Sequence, residues 1–551
     1  MEEVDVVQVI GRFGIYHGIV LVLTFLHTFP MAWTNLMSPL MAPDVPNWCA
    51  APNATIPRDW WRQHGIPSKR DGAGQPTPSE CVMYAWINDP NAEWGGRVDI
   101  KQTVSCTHGW EYDRAEYGLT ATEQWNLVCV DTWKRSAIQS ITMAGSLVGV
   151  VVFGYLSDML GRKFTFFSCL VGTLVTGVSA SFAPTLAIFN ALRFMLGASV
   201  VGMSFAVVTI LMEIMPEKDR IFLNVGFGMG YAVSVMSIPL LSSQLRDFRY
   251  MQLAIGVSVI ILIPFFWIIH ESPKWLLAKH RLTETEAVIL KILRTNKQPI
   301  LEMKGVMHNF AAHVETKAAE ESKNLSFIDI IRVPILRRQT LYLGLRWFSS
   351  SSISYYLVMN AHRLPGNPHA NFAISALSEF PSALVAMYVM RKFRRRQSQI
   401  VTVALAIVVF ASVSFLDNSY KFVKVWGTAL ARFFVSTTNH IAMVVVHEIY
   451  PTPVRGAGFS TALMCARIGA ILAPFLKNIG DWTYVTVPYF VFLAFCLVIM
   501  AAVFMLPESL NIQLPDTVED VKKLYRSAGD DTKDPTSGGI QNKEEINENA
   551  G

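Results

Sequence analysis

Two opposite charges stand inside otherwise apolar stretches, Glu379 in "SALSEFPSALVAMY" and Arg467 in "ALMCARIGAILAPF". A charge at the centre of a bilayer costs at least about 2.5–3.5 kcal/mol, so it persists where it faces a partner or a water-filled cavity. A carboxylate there can receive an ammonium group, and a guanidinium can receive a carboxylate. One acid and one base in a single cavity suit a zwitterion; the alternative is a structural ion pair between the two. Trp347, Tyr355 and Tyr356 add ring faces that can meet an ammonium group, a contact worth about 0.5–2 kcal/mol, although rings in apolar runs also pack or face lipid. His27, Asn439 and His440 are weaker polar candidates, and Arg193 and Arg432, close to where their runs begin, read as side chains that snorkel to the interface.

A second set of charges lies at the ends of apolar runs. In "GYLSDMLGRK", Asp158 precedes the basic pair Arg162 and Lys163, with Gly154 and Gly161 allowing close packing and a turn. If this stretch ends one helix at the membrane face, Asp158 lies level with the start of the helix that follows Arg455. A carboxylate facing a helix N-terminus is stabilised by about 0.3–2 kcal/mol, so Asp158 can latch two parts of the molecule together. "EIMPEKDR" and "EIYPTPVR" share one pattern 235 residues apart, and they read as Glu213 pairing with Arg220 and Glu448 with Arg455.

The elements that hold these residues are membrane helices. The 551 residues are 52% hydrophobic and only 16% charged, where soluble chains carry about 25% charged residues. Runs of about 20 apolar residues cross a bilayer, and twelve are expected, near 15–40, 136–157, 164–183, 186–213, 221–243, 250–270, 340–361, 370–390, 398–416, 423–447, 456–477 and 484–506. Backbone amides in lipid need internal partners, which makes the class all-α and polytopic. Acidic Glu2, Glu3 and Asp5 ahead of the first run argue against a cleaved signal.

Basic residues orient the chain. Arg162 and Lys163, then Lys218 and Arg220, then Arg391, Lys392, Arg394, Arg395 and Arg396, then Arg455 mark cytoplasmic connections. Residues 1–14, 271–338 and 508–551 are then cytoplasmic and 42–134 lies outside. The net charge of +5 follows from these loops and calls for no nucleic acid. Four of seven cysteines, Cys49, Cys81, Cys106 and Cys129, fall in the outer loop and read as two disulfides. Three pairings are possible, and a zinc site is the rival reading. Asn53 in "NAT" is a glycosylation sequon on that side, whereas Asn324 in "NLS" falls inside. The insert 271–338 reads as short amphipathic helices, and the tail after about 525 lacks the apolar content to fold.

Duplication organises the whole. Besides the E-I-x-P-x-x-x-R pair, "HESPKWL" and "LPESLNI" repeat 237 residues apart, which implies two six-helix halves, 15–270 and 339–507. With "GRFGIYH", "EQWNLVCVDTWKRS", "GYLSDMLGRK", "MEIMPEKDR", "ESPKWL", "WFSSS", "EFPSAL" and "HEIYPTPVRGAG", the chain resembles the major facilitator superfamily, and within it the organic cation, anion and carnitine transporters. The resemblance spans all but the tail. It implies a transporter working by alternating access at the plasma membrane, with Asp158 in a latch that closes the cytoplasmic side. It also implies a role for position 467, where cation carriers tend to have aspartate and anion and carnitine carriers arginine, while "EFPSAL" looks like the cation and carnitine members.

The expected substrates are zwitterions and amines, carnitine-like or β-alanine conjugates; an organic cation or anion carrier of the same family is the alternative. The second half departs from the pattern, since "MRKFRRRQ" puts Arg391 and Arg394 at the acidic and glycine positions. No convergent catalytic set points to an enzyme, and no GxxxxGK[ST] points to ATP. No cofactor or metal is called for, and the sequence leaves coupling to Na+ or H+ and the oligomeric state open. A non-transporting receptor or scaffold is the rival of another class.

Overall fold

The computed structural model describes residues 9–525 apart from 12, 71–75, 93, 217–219, 300–326, 362–363, 365, 417–419, 452–453, 483–486, 511–514, 516–518 and 524. Asn324 and the tail beyond 525 lie outside the described residues.

Eleven helical segments among these are long and apolar enough to cross a bilayer: Ile15–Leu36, Cys129–Leu160, Arg162–Ser181, Leu186–Ile214, Gly226–Gln244, Phe248–Ile268, Pro368–Lys392, Arg395–Ser414, Phe422–Ile449, Arg455–Gly480 and Val487–Met505. These are spans one to six and eight to twelve. The seventh, Pro334–Asn360, has 27 residues and is less apolar because it carries Arg337, Arg338, Arg346 and a run of serines. Its length is kept in the membrane domain by burying Arg346 completely. Span one is two helices, Ile15–Leu26 and Thr28–Leu36, divided at His27.

Glycine sets the closest approaches. A Cβ on Gly145 of span two would lie 1.9 Å from the Phe194 carbonyl oxygen of span four, and one on Gly197 would lie 2.2 Å from that of Thr142. Between spans eleven and seven, a Cβ on Gly469 would meet the Phe348 oxygen at 2.3 Å. Spans two and four, and spans seven and eleven, are thus packed backbone against backbone.

The segment between spans one and two forms a cap of antiparallel strand pairs, Asn47–Cys49 with Trp110–Tyr112 and Val82–Asn88 with Gly96–Ser105, beside the helix Arg58–His64. Its small core gathers Cys49, Ile56, Trp61, Ile66 and Met83. Disulfides join Cys49 to Cys106 and Cys81 to Cys129. Asn53 is exposed, with its amide directed at the Trp94 carbonyl.

The two halves are fastened near the cap. Ser136 Oγ donates to the Pro474 carbonyl and Ser140 Oγ to that of Ile471, at 3.1 and 2.7 Å. Ser242 Oγ meets His369 Nδ1 at 2.9 Å, joining span five to span eight. Val358, Phe372 and Ala376 enter the same buried cluster as Ala32, Leu36, Val235 and Ile238. On the opposite face, helices Pro273–Ala278 and Leu282–Thr295 of the insert pack against the first half.

Candidate substrate-binding and gating sites

Glu379 begins the second helical piece of span eight, after a break at Ser378. Its Oε2 accepts from Arg432 Nη2 at 3.2 Å and from Ser436 Oγ at 2.9 Å. Arg432, placed above as a snorkelling side chain, is instead 3% exposed and also donates to Ser375 Oγ. The structural ion pair therefore exists, but its base is Arg432 and not Arg467. Arg193 is likewise corrected: it is wholly buried, with bonds to Thr142, Gln252, Ser38 and the Thr34 carbonyl. Burial on this scale is tolerated because each guanidinium has a set of oxygen acceptors.

Arg467, in the middle of span eleven, lies 3.4 Å from the Tyr355 hydroxyl of span seven and touches Met143 Sδ of span two. It has no carboxylate within 4.0 Å among the described residues. Tyr231 of span five stands within electrostatic reach of Tyr355, Glu379, Arg432 and Arg467 together, so these groups from both halves surround one central region. With Glu379 and Arg432 cancelling, that region has one uncompensated positive charge among the described residues.

Of the three candidate rings, Tyr355 alone joins this set. Trp347 already has a cation over its face, the Arg346 guanidinium at 5.1 Å, and packs against the cluster around Leu336, Ile449 and Tyr450. Tyr356 packs against Phe492 in a tilted arrangement, centroids 4.5 Å apart, within a cluster of the second half. Neighbouring positions on a helix point about 100° apart, which separates 355 from 356. His27 is buried against Ser204 and Phe227 of the first half. Asn439 bonds Ser350 and Ser354 within the second.

At the face away from the cap, the charges form two similar clusters. Arg162 Nη2 reaches Glu213 Oε1 at 3.0 Å and Asp158 Oδ1 at 2.9 Å. Glu213 is thus bound to Arg162; the expected pairing with Arg220 falls on a side chain outside the described residues. Asp158 is 71% exposed and paired with Arg162 of its own half, with no ion pair to the start of span eleven among the described residues. Lys163 lies over the Phe266 ring. Gly161 has φ +103°, and a Cβ there would come within 2.3 Å of Glu271 Oε2, so this turn requires glycine. Gly154 does not carry the close packing expected of it: a Cβ would meet Phe205 at an ordinary 3.9 Å.

Glu271 is the residue that sequence reading left without a role. Its carboxylate accepts the backbone N–H of Arg162 at 2.8 Å and of Lys163 at 3.1 Å, closing the N-terminus of span three. In the second half Glu508 accepts from the backbone of Arg395 at 2.8 Å and Arg396 at 3.1 Å, at the start of span nine. Arg395 also reaches Glu448 at 3.4 Å, and Ser509 Oγ donates to Glu448 Oε2 at 2.6 Å. Glu448 is bound there rather than to Arg455, whose Nε donates to the Tyr450 carbonyl. The "HESPKWL" and "LPESLNI" repeat was the available signal. Arg394 replaces the glycine of the first copy, and its φ of −60° explains how: this turn does not enter the left-handed region. Arg391 and Arg394 are both exposed.

Comparison with known proteins agrees with this architecture. The family model described as "Sugar (and other) transporter" matches residues 99–519. The chain is 28% identical to an organic cation transporter protein of Drosophila melanogaster, covering 94% of each chain. It is 27% identical to solute carrier family 22 member 6 of Oryctolagus cuniculus, over 95% of this chain and 94% of that one. Among solved structures, a major facilitator superfamily proton:xylose symporter shares the fold, with TM-score 0.58, 14% identity and coverage of 93% and 99%. The chain belongs to the sugar (and other) transporter family; it has the major facilitator fold, and at moderate identity over most of its length it groups with the organic cation and anion transporters. It is a transporter and not an enzyme.

Proposed function

We propose that this member of the sugar (and other) transporter family carries small organic ions bearing an anionic group, zwitterions of the carnitine type included, across the plasma membrane by alternating access. One observation carries the reading: Arg467 has no carboxylate partner among the described residues, while Glu379 is already held by Arg432. A guanidinium kept charged in a membrane cavity without its own counter-ion is a receptor for one on the ligand. Tyr355 steadies it. The ammonium end of a zwitterion can still approach Glu379 Oε1, the oxygen that Arg432 and Ser436 leave open. A simple amine has only that half-neutralised carboxylate, and this favours anions and zwitterions over the amines.

The halves fastened at the cap, with Asp158 exposed on the other face, support an inward-facing state in which the cap is extracellular, Asn53 is glycosylated and both termini are cytoplasmic. Asp158 then acts as a latch only after the opposite face closes. The test is uptake of labelled carnitine, benzenesulfonate and tetraethylammonium by purified protein in liposomes. Arg467→Ala is expected to lower the first two at least tenfold and to spare the third. Equal loss of all three, or none, counts against the anchor; absence of any uptake by the unaltered protein favours a receptor or scaffold.

A further inference from the structure

Arg432, Ser436 and His440 lie one turn apart on a single face of span ten, and all three address the carboxylate of Glu379. Oε2 takes the first two. Oε1 faces His440 Nε2 at 3.9 Å, beyond hydrogen-bond length but within the reach of charge. That nitrogen is buried and has no hydrogen-bond partner among the described residues, although the side chain keeps 32% of its surface accessible. An orphaned ring nitrogen beside the half-free oxygen of a carboxylate is a place for one proton: adding it makes a charge-assisted bond where now there is a gap.

Resting on the anionic-substrate reading, we infer that His440 takes up a proton with each substrate anion, so that the transporter is a proton-coupled symporter. The charged and titratable groups around the pair are Glu379 from span eight, Arg432 from span ten itself, Arg467 from span eleven, Arg346 and Tyr355 from span seven, and Tyr231 from span five. Span nine presents the uncharged Gln399 and Thr402. With neutral His440, the sum over Glu379, Arg432 and Arg467 is one positive charge; the protonated ring makes it two. A bound anion therefore raises the affinity for the proton, and by linkage the proton raises the affinity for the anion by the same factor. A cationic amine has the opposite effect, because it competes with the protonated ring for Glu379 Oε1. One proton with one monovalent anion moves no net charge.

Two measurements test this, and the first needs no substrate. Infrared difference spectra of the purified protein across a pH step are expected to contain a histidine band that His440→Gln removes and Glu379→Gln moves to lower pH, since the carboxylate that favours the imidazolium is gone. Spectra unaltered by both substitutions overturn the inference whatever the protein transports; if His440→Gln does not fold, the shift in Glu379→Gln decides. The second is uptake into liposomes of labelled benzenesulfonate, an anion too strongly acidic to cross lipid as its neutral form. Acidifying the outside by one pH unit should drive up to about tenfold accumulation, independent of membrane potential, and His440→Gln should only equilibrate the label. Accumulation kept by His440→Gln, or equilibration alone in the unaltered protein, overturns the inference. No uptake of benzenesulfonate or carnitine by the unaltered protein overturns the reading it rests on, while the spectra still decide the proton site.

Discussion

The carboxylate of Glu271 sits 2.8 Å from the backbone nitrogen of Arg162, across a turn where Gly161 leaves room for it. A residue from the loop after span six thereby closes the N-terminus of span three, and Glu508 does the same for span nine. The acid is attracted by the helix dipole and supplies acceptors for amides that have none in the helix.

Glu271→Gln keeps acceptor atoms and loses charge, and should cost about 0.3–2 kcal/mol. Glu271→Ala strands the amides as well and should cost about 1–3 kcal/mol. The same ranking is expected at Glu508. Thermal unfolding of the detergent-purified variants checks it, and equal midpoints for Gln and Ala would contradict the cap.

Arg432 and Arg467 should behave differently when removed. Arg432→Ala leaves the buried Glu379 carboxylate without its base and should cost about 3–5 kcal/mol, seen as lower yield and unfolding temperature. Arg467→Ala strands no acid and should leave both near those of the unaltered protein while uptake of anions falls. Similar losses of yield in the two would mean that Arg467 has a structural partner.

The cap predicts a specific peptide map. Non-reducing digestion should yield Cys49 linked to Cys106 and Cys81 linked to Cys129. Losing either bond should destabilise the cap by about 2–4 kcal/mol and reduce delivery to the cell surface more than substrate affinity. A map with Cys49 linked to Cys81 or Cys129 would refute the pairing.

Asp158→Asn should barely change the stability of the state described here, because an exposed pair such as Asp158 with Arg162 is worth about 0–1 kcal/mol. Its effect belongs to the state closed on the other face. Loss of about 0.3–2 kcal/mol there shifts the population between roughly twofold and thirtyfold. Accessibility of introduced cysteines from each side measures the ratio, and an unmoved ratio makes Asp158 a loop carboxylate.

Membrane class, helix number and the duplicated halves were legible in the sequence because they depend on local composition. A run of about 20 apolar residues becomes a spanning helix whatever surrounds it, and a repeat keeps its register along the chain. Crowding of Cys49, Cys81, Cys106 and Cys129 in one segment was legible for the same reason. What the sequence did not settle was partnership. Glu379 is 53 residues from Arg432 and 88 from Arg467, and neither spacing says which of spans ten and eleven turns its base toward span eight. Only tertiary packing decided for Arg432, and with it which of the two arginines was left for a ligand. Likewise packing brought Arg162 to Glu213, and Tyr355 rather than Tyr356 entered the central region. Each of these turns on the rotation of a helix about its own axis, where one residue is worth about 100°, and that rotation is set by close contacts such as Gly145 on Phe194 and Gly469 on Phe348, which join residues distant in the chain.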